Sequence, residues 1–367
     1  VKKNDFAKYL LLFLLSACFH EVLAQVQQVN YQREMEQLED KINDFFFIPG
    51  TGYYKETSLP EKNSRPVSYL WPLCAMLDAA NEIGKVKGHA ELLNRVRALL
   101  DKYYDDRAPA PGYASYAVKY GGGDRFYDDN QWIGITAMDV YKHTGANEWM
   151  KTAELIYKFM MTGYDKISGG GFYWQEGQKT KNTCSNGPAI ILSLELYKAT
   201  KKKEYLRMGE ECYQWVNQKL KAPSGIYYDA LNVKTEVVDK TMYSYNAGTM
   251  LHSAVLLYEI TGKKQYLEEA ESIAGASLAY FFKNGKFRDN YWFNAVLLRG
   301  YIQYMRVSGS ADCIIQFKKA LDYALVNDKN EKGLFGIRKD VNLVGQAGML
   351  EILARMALLQ KKGIFNR

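Results

Sequence analysis

Histidine is scarce in this chain: His20, His89, His143 and His252 are the only four in 367 residues. None pairs with another at metal-ligand spacing. Cysteine is nearly as scarce, with five residues, no CxxC pair and no two close in sequence. That excludes a zinc site and a disulfide framework, and makes buried free thiols the expected state of Cys74, Cys184, Cys212 and Cys313. The longest basic run, Lys201-Lys202-Lys203, is short, so a net charge of +7 carries no nucleic-acid footprint. No G-x-S-x-G elbow and no dinucleotide fingerprint occurs. Gly169-Gly170-Gly171 lacks the Lys-Ser/Thr of a phosphate loop. No metal or cofactor is expected, and carboxylates remain as the acid–base groups on offer.

Only the N-terminus carries an extended apolar run. Lys2, Lys3 and Lys8 precede apolar residues 9–19, the layout of an export signal and too short to span a bilayer as a membrane helix. Two cleavage sites compete. Leu15-Ser16-Ala17-Cys18 reads as a lipobox that would leave a lipid tether on Cys18. Val22-Leu23-Ala24 reads as an ordinary signal-peptidase site. The expectation is an export signal over 1–24 and one catalytic domain over 25–367. The protein is then exported, to the periplasm or cell surface, and monomeric.

What is abundant is tyrosine, 29 residues, within a 14% aromatic content. Flat rings with hydroxyls suit a carbohydrate cleft, although they also rim helical cores. The dominant pattern is a repeat. Tyr141-Lys-His-Thr-Gly145, Tyr197-Lys-Ala-Thr-Lys201, Tyr258-Glu-Ile-Thr-Gly262 and Tyr304-Met-Arg-Val-Ser-Gly309 each separate two apolar-periodic runs. Asn81-Glu-Ile-Gly84 is a weaker earlier copy. Each unit reads as a helix, a tight turn and a returning helix. With segment 344–359 pairing back onto 29–46, six hairpins predict an all-α fold, an (α/α)6 barrel. An open solenoid is the alternative. Long loops at 104–127, 163–184, 222–243, 283–291 and 327–343 precede the first helix of each hairpin, and function should collect there. Asn130, Asn186, Asn246, Asn294 and Gln346 recur at the helix starts. They act either as caps or as a ring of amides around a shared cavity.

The chemistry concentrates in Asp128-Asp129, where a glycine-rich loop meets the helix expected over 131–143. Adjacent acids repel, so at least one pKa should rise. Helix N-terminal amides would lower that of the acid they face. One protonated and one charged carboxyl are the equipment of glycoside hydrolysis. The carboxyl separation of about 5–5.5 Å that retention needs is within reach of neighbours. The plainer alternative is an N-cap and a first-turn acid. Phe172-Tyr173-Trp174, on the glycine hinge, is either a sugar-stacking platform or a hairpin that plugs the core.

Four segments together resemble glycoside hydrolase family 76, the endo-α-1,6-mannanases. They are Tyr127-Asp128-Asp129-Asn130-Gln131-Trp132, Gly169-Gly170-Gly171-Phe172-Tyr173-Trp174, Lys181-Asn182-Thr183-Cys184-Ser185-Asn186-Gly187-Pro188 and Tyr245-Asn246-Ala247-Gly248-Thr249. Phe293-Asn294-Ala295-Val296-Leu297-Leu298-Arg299 is a looser match. The resemblance implies an (α/α)6 barrel and retaining cleavage of α-mannan, with Asp128 as nucleophile and Asp129 as general acid/base. Asn130, Gln131, Trp174, Asn186, Tyr245, Asn246, Asp289 and Arg299 are the substrate-binding candidates. Ala247 and Asn294 depart from the family's usual Gln and Lys. A transglycosylase on the same linkage and a non-catalytic glycan-binding protein are the competing readings.

Overall fold

A computed structural model describes residues 29–336 and 341–366. The proposed export signal and Cys18 lie outside them. The repeat markers are helix ends. Gly145, Lys201, Gly262 and Gly309 each adopt a left-handed backbone and return their N–H to the carbonyl of Tyr141, Tyr197, Tyr258 and Met305. This is how a helix stops within one residue and reverses. The earliest copy differs from expectation. Its helix runs past Gly84 and ends at Gly88, whose N–H donates to the Gly84 carbonyl.

Twelve α-helices result among the described residues: α1 (Tyr31–Phe45), α2 (Leu70–Lys87), α3 (Glu91–Leu100), α4 (Tyr127–Thr144), α5 (Asn147–Met161), α6 (Thr183–Thr200), α7 (Lys203–Lys219), α8 (Ser244–Thr261), α9 (Lys264–Phe281), α10 (Tyr291–Ser308), α11 (Asp312–Asn327) and α12 (Leu343–Lys361). The even-numbered helices are buried on nearly every side, as in α6, where Thr183 through Leu196 are all buried. The odd-numbered ones bury a single stripe, as α7 does with Tyr205, Gly209, Cys212, Tyr213 and Val216. Inner helices pack in order α2, α4, α6, α8, α10, α12, and α12 packs back on α2. Helix α1 packs on α12 and completes the sixth hairpin. The ring is closed, which selects the (α/α)6 barrel over the solenoid. Short antiparallel strands fold the loops at the inner helices' N-terminal end. The largest such sheet joins Thr180–Asn182, Ala230–Asn232 and Val237–Asp239.

A ring this tight needs close helix approach. A Cβ on Gly348 of α12 would lie 2.2 Å from the Trp292 backbone nitrogen of α10, and one on Gly248 of α8 would lie 2.6 Å from the Leu297 Cα. Further along the axis, the inner helices exchange ions. Arg299 donates to both Glu351 oxygens at 2.6 Å and to Asp78 at 2.6 Å. Arg355 bridges Glu351 and Glu82, and Lys85 joins Glu82 to Asp139. Burial opposes ionisation of Glu351, but Arg299 and Arg355 outweigh it and hold its pKa low. Arg299 is therefore a structural ion, and the expectation that it binds substrate is corrected. Helical periodicity marks it as inward-facing without saying at which depth.

Gly348→Ala should cost about 1–3 kcal/mol through overpacking. Gly275→Ala, on exposed α9 with nothing within 4 Å of the new methyl, should stabilise by roughly 0.5–1 kcal/mol. Denaturant melts read both. Arg299→Met leaves buried Asp78 without its cation and Glu351 with Arg355 alone, with an expected loss of about 3–5 kcal/mol. The same melts check it; an unchanged midpoint would contradict the network's role.

Candidate active site

The N-terminal N–H groups of a helix have no partner within it. Here the next hairpin's loop supplies one. The first N–H of α2 donates to the Ser115 carbonyl, that of α4 to Trp174, that of α6 to Asp229 and that of α12 to Glu56. For α8 the acceptor is the Asp289 carboxylate, at 2.6 Å. Asp289, expected in the substrate site, is thus a helix cap.

The recurring amides hold the same loops from the other side. Asn130 accepts from the Tyr113 N–H and donates to the Tyr113 carbonyl. Asn186 does the same to Phe172, and Gln346 to Phe335. Asn294 donates to the carbonyls of Asp289 and Asn290. These side chains are fully buried and spent on backbone, which corrects the expectation that Asn130 and Asn186 meet substrate. Gln131 is also buried and lies outside the cleft lining. Two buried cations complete the frame. Arg125 grips Glu176 through two bonds at 2.7 and 2.9 Å and takes the carbonyls of Arg107, Ala108 and Ala110. Lys181 donates to Asp165 and to the carbonyls of Ile167 and Gly170.

The loops surround a cleft of about 870 Å³ over the inner-helix N-termini. Asp128, Asp129, Trp174 and Tyr245 line it, so four of the ten expected site residues come together there. The glycine-hinge aromatics divide. Phe172 is core, Tyr173 bonds Asp165 at 2.9 Å, and Trp174 alone stands on the cleft wall. Trp71, Trp132 and Trp292 form a contiguous edge-to-face group beside the acids, with centroids 5.5 and 5.9 Å apart.

The two acids sit in the first turn of α4, and neither caps it; the capping position is Phe126, with no side-chain cap. Their surroundings differ sharply. Asp128 accepts from the Trp174 indole at 3.1 Å, from the Asp129 N–H at 3.0 Å and from the Cys184 thiol. Burial raises its pKa to about 6, and these donors hold it from going further. Among the described residues the Asp129 carboxylate receives no hydrogen bond. Burial first, then the charge of Asp128, push its pKa well above the usual carboxylate range. The dyad is asymmetric: charge settles on Asp128 and a proton on Asp129.

Sequence reasoning missed Asp229. It lines the cleft, with its carboxylate 3.4 Å from the Asn246 amide and 3.5 Å from that of Asn182. Burial raises its pKa to about 6, partly offset by Asn246. Asn246 therefore reaches the cleft only through Asp229. The available signal was positional: Ser115, Trp174, Asp229 and Asp289 each stand two residues after an aromatic that lies one or two residues beyond a glycine. Among the described residues no group of three or more His, Cys, Asp or Glu is arranged to hold a metal ion.

Known proteins agree with this architecture. An α-mannanase from Bacteroides thetaiotaomicron superposes with a TM-score of 0.85 at 23% identity, covering 93% of this chain and 99% of that one. The α-1,6-mannanase of Salegentibacter sp. HEL1_6 gives 0.76 at 23% identity, over 90% and 99%. Its inactive variant with two consecutive aspartates replaced has been solved with α-1,6-mannotriose. In sequence, the mannan endo-1,6-α-mannosidase DCW1 of Candida glabrata is 26% identical over 171 residues, 42% of this chain. The match spans only 38% of that relative's length. The model of glycosyl hydrolase family 76 matches residues 39–296. The chain belongs to glycosyl hydrolase family 76.

Proposed function

We propose that this protein hydrolyses α-1,6-mannosidic bonds in mannan with retention of configuration. The observation that carries the reading is the asymmetric dyad on the cleft surface. Asp129 gives its proton to the glycosidic oxygen as Asp128 attacks the anomeric carbon. The C–O bond breaks and a glycosyl ester forms on Asp128. Asp129, now a base, takes a proton from water; the water oxygen attacks the same carbon and Asp128 leaves as carboxylate. Trp174 orients Asp128 and offers a ring edge to the sugar. Tyr245 lies stacked on Phe293, centroids 4.1 Å apart, and forms part of the cleft wall. Asp229 accepts sugar hydroxyls.

Mannan as substrate is supported by the names of the relatives and by the mannotriose-bound family member. A polymer substrate fits export through the segment 1–24. Action as a monomer and as a single catalytic unit completes the proposal.

The test is incubation with linear α-1,6-mannan, with product sizing and anomer detection by NMR. Shorter products of retained α configuration are expected. Products longer than the substrate would indicate transfer, and tight binding without any product would favour a glycan-binding protein. Asp129→Asn should lower kcat by about 10²–10⁴-fold, the usual worth of a general acid, and Asp128→Ala by at least as much.

The kcat/KM profile should be bell-shaped. Its acid limb, near pH 6 where Asp128 ionises, should rise with pH. Its alkaline limb should follow loss of the Asp129 proton. A flat profile through the acid limb would contradict the assignment.

Stability should oppose activity at Asp129. A carboxyl whose folded pKa exceeds its unfolded value of 3.8 costs the fold nothing below that value and most above the folded pKa. Asp129→Asn should therefore raise the melting temperature at neutral pH. The gain should vanish toward pH 4, as paired thermal scans would show.

A further inference from the structure

The cleft has a second pole. Away from the three aspartates it continues along Arg65, Tyr116 and Tyr120. Tyr120 is also a wall of a neighbouring groove of about 540 Å³, lined by Lys102 and Lys119. Three rings in succession, Tyr116, Tyr120 and Tyr53, run along this arm, each with a cation against it. The Arg65 guanidinium lies 4.6 Å from the Tyr116 ring centroid, and Tyr116 lies 6.3 Å from Tyr120. Tyr120 has Lys119 at 5.8 Å from its centroid and Tyr53 at 5.8 Å between ring centroids. Lys102 stands 4.4 Å over Tyr53.

Among the described residues none of these three cations is paired with a carboxylate, whereas Lys85, Arg125, Lys181, Arg299 and Arg355, deeper in the barrel, are. Lys102 donates to the Thr51 carbonyl, a neutral partner that leaves its charge uncompensated. Asp124 is the one acid of the adjoining glycine loop in the cleft lining, and it is solvent-exposed.

Tyr120 is exposed and offers a face to a sugar, while Tyr116 and Tyr53 are buried and anchor the arm. The exposed cations beside them offer donors to an anion. We propose that this arm is a subsite for a sugar bearing an anionic group, either a phosphate ester or a carboxylate. It rests on the reading of the cleft as a glycan site and adds a charge preference to it. The aspartate pole would repel such a group, so the two poles would also orient the chain across the dyad.

Binding without turnover tests this. Mannose, mannose 6-phosphate and mannuronate are titrated into the full chain by calorimetry at low ionic strength. The test is repeated with Arg65→Gln, Lys119→Gln and the double variant, with folding checked by circular dichroism. An anionic sugar should bind about tenfold or more tighter than mannose, the usual worth of a hydrogen bond to a charged group. The preference should fall in the variants and with added salt. Tighter binding of mannose 6-phosphate assigns a phosphate ester, and of mannuronate a carboxylate; either supports the subsite. Equal affinity for all three sugars, or a preference the double variant keeps, overturns it. Because no bond is cut, failure of mannan hydrolysis leaves this result standing. A protein that cleaves mannan yet ignores charge refutes this inference alone.

Discussion

The barrel depends on how the first N–H of each inner helix is satisfied. An unpartnered buried N–H costs about 1–3 kcal/mol. Five of these helices obtain their acceptor from the loop of the following hairpin. Each hairpin thus finishes its predecessor, and the contact from Glu56 to α12 carries the chain of dependence across the closure. The same bonds fix the mouth. A loop residue whose carbonyl reaches a helix start has its side chain delivered to the cleft rim, which is where Trp174 and Asp229 stand.

The electrostatics divide by depth. Near the far end of the axis, buried acids and bases match one another closely, and Glu351 stays ionised because two arginines reach it. At the mouth the acids are left without cations. Six parallel helix N-termini favour negative charge there, yet burial prevails at Asp129. An uncompensated acid beside another acid is poor for stability and useful for proton transfer, the usual trade at a functional site.

Much of the fold was legible in the sequence, because a helix stop within one residue demands a left-handed residue. Gly145, Gly262 and Gly309 announce themselves as such. The amide register was equally visible, but the sequence left open whether it meant caps or a ring around a cavity. Asn130, Asn186 and Gln346 recur with the hairpin period because the loop clamp recurs, so their periodicity reports the fold. Function lies where the period breaks. The positions two and one before each amide read Asp128-Asp129, then Cys184-Ser185, Ser244-Tyr245, Trp292-Phe293 and Val344-Gly345. Only one hairpin carries the acids. Arg299 escaped correct placement because an inward-facing residue at the mouth and one deep in the axis share the same helical phase. Asp229 escaped because its partners are joined to it only through loop pairing.

Arg299 also has a topological consequence. Its guanidinium lies 5.3 Å from the ring of Trp132, which belongs to the cleft wall, and the axial void around it measures only about 60 Å³. That space holds a water or two and no sugar. The barrel is stoppered from within, so a polymer cannot be threaded through it. On the proposed reading, a mannan chain would lie across the rim and not along the axis. On that reading product would leave by the same open mouth through which the substrate enters, since the axis offers no second exit.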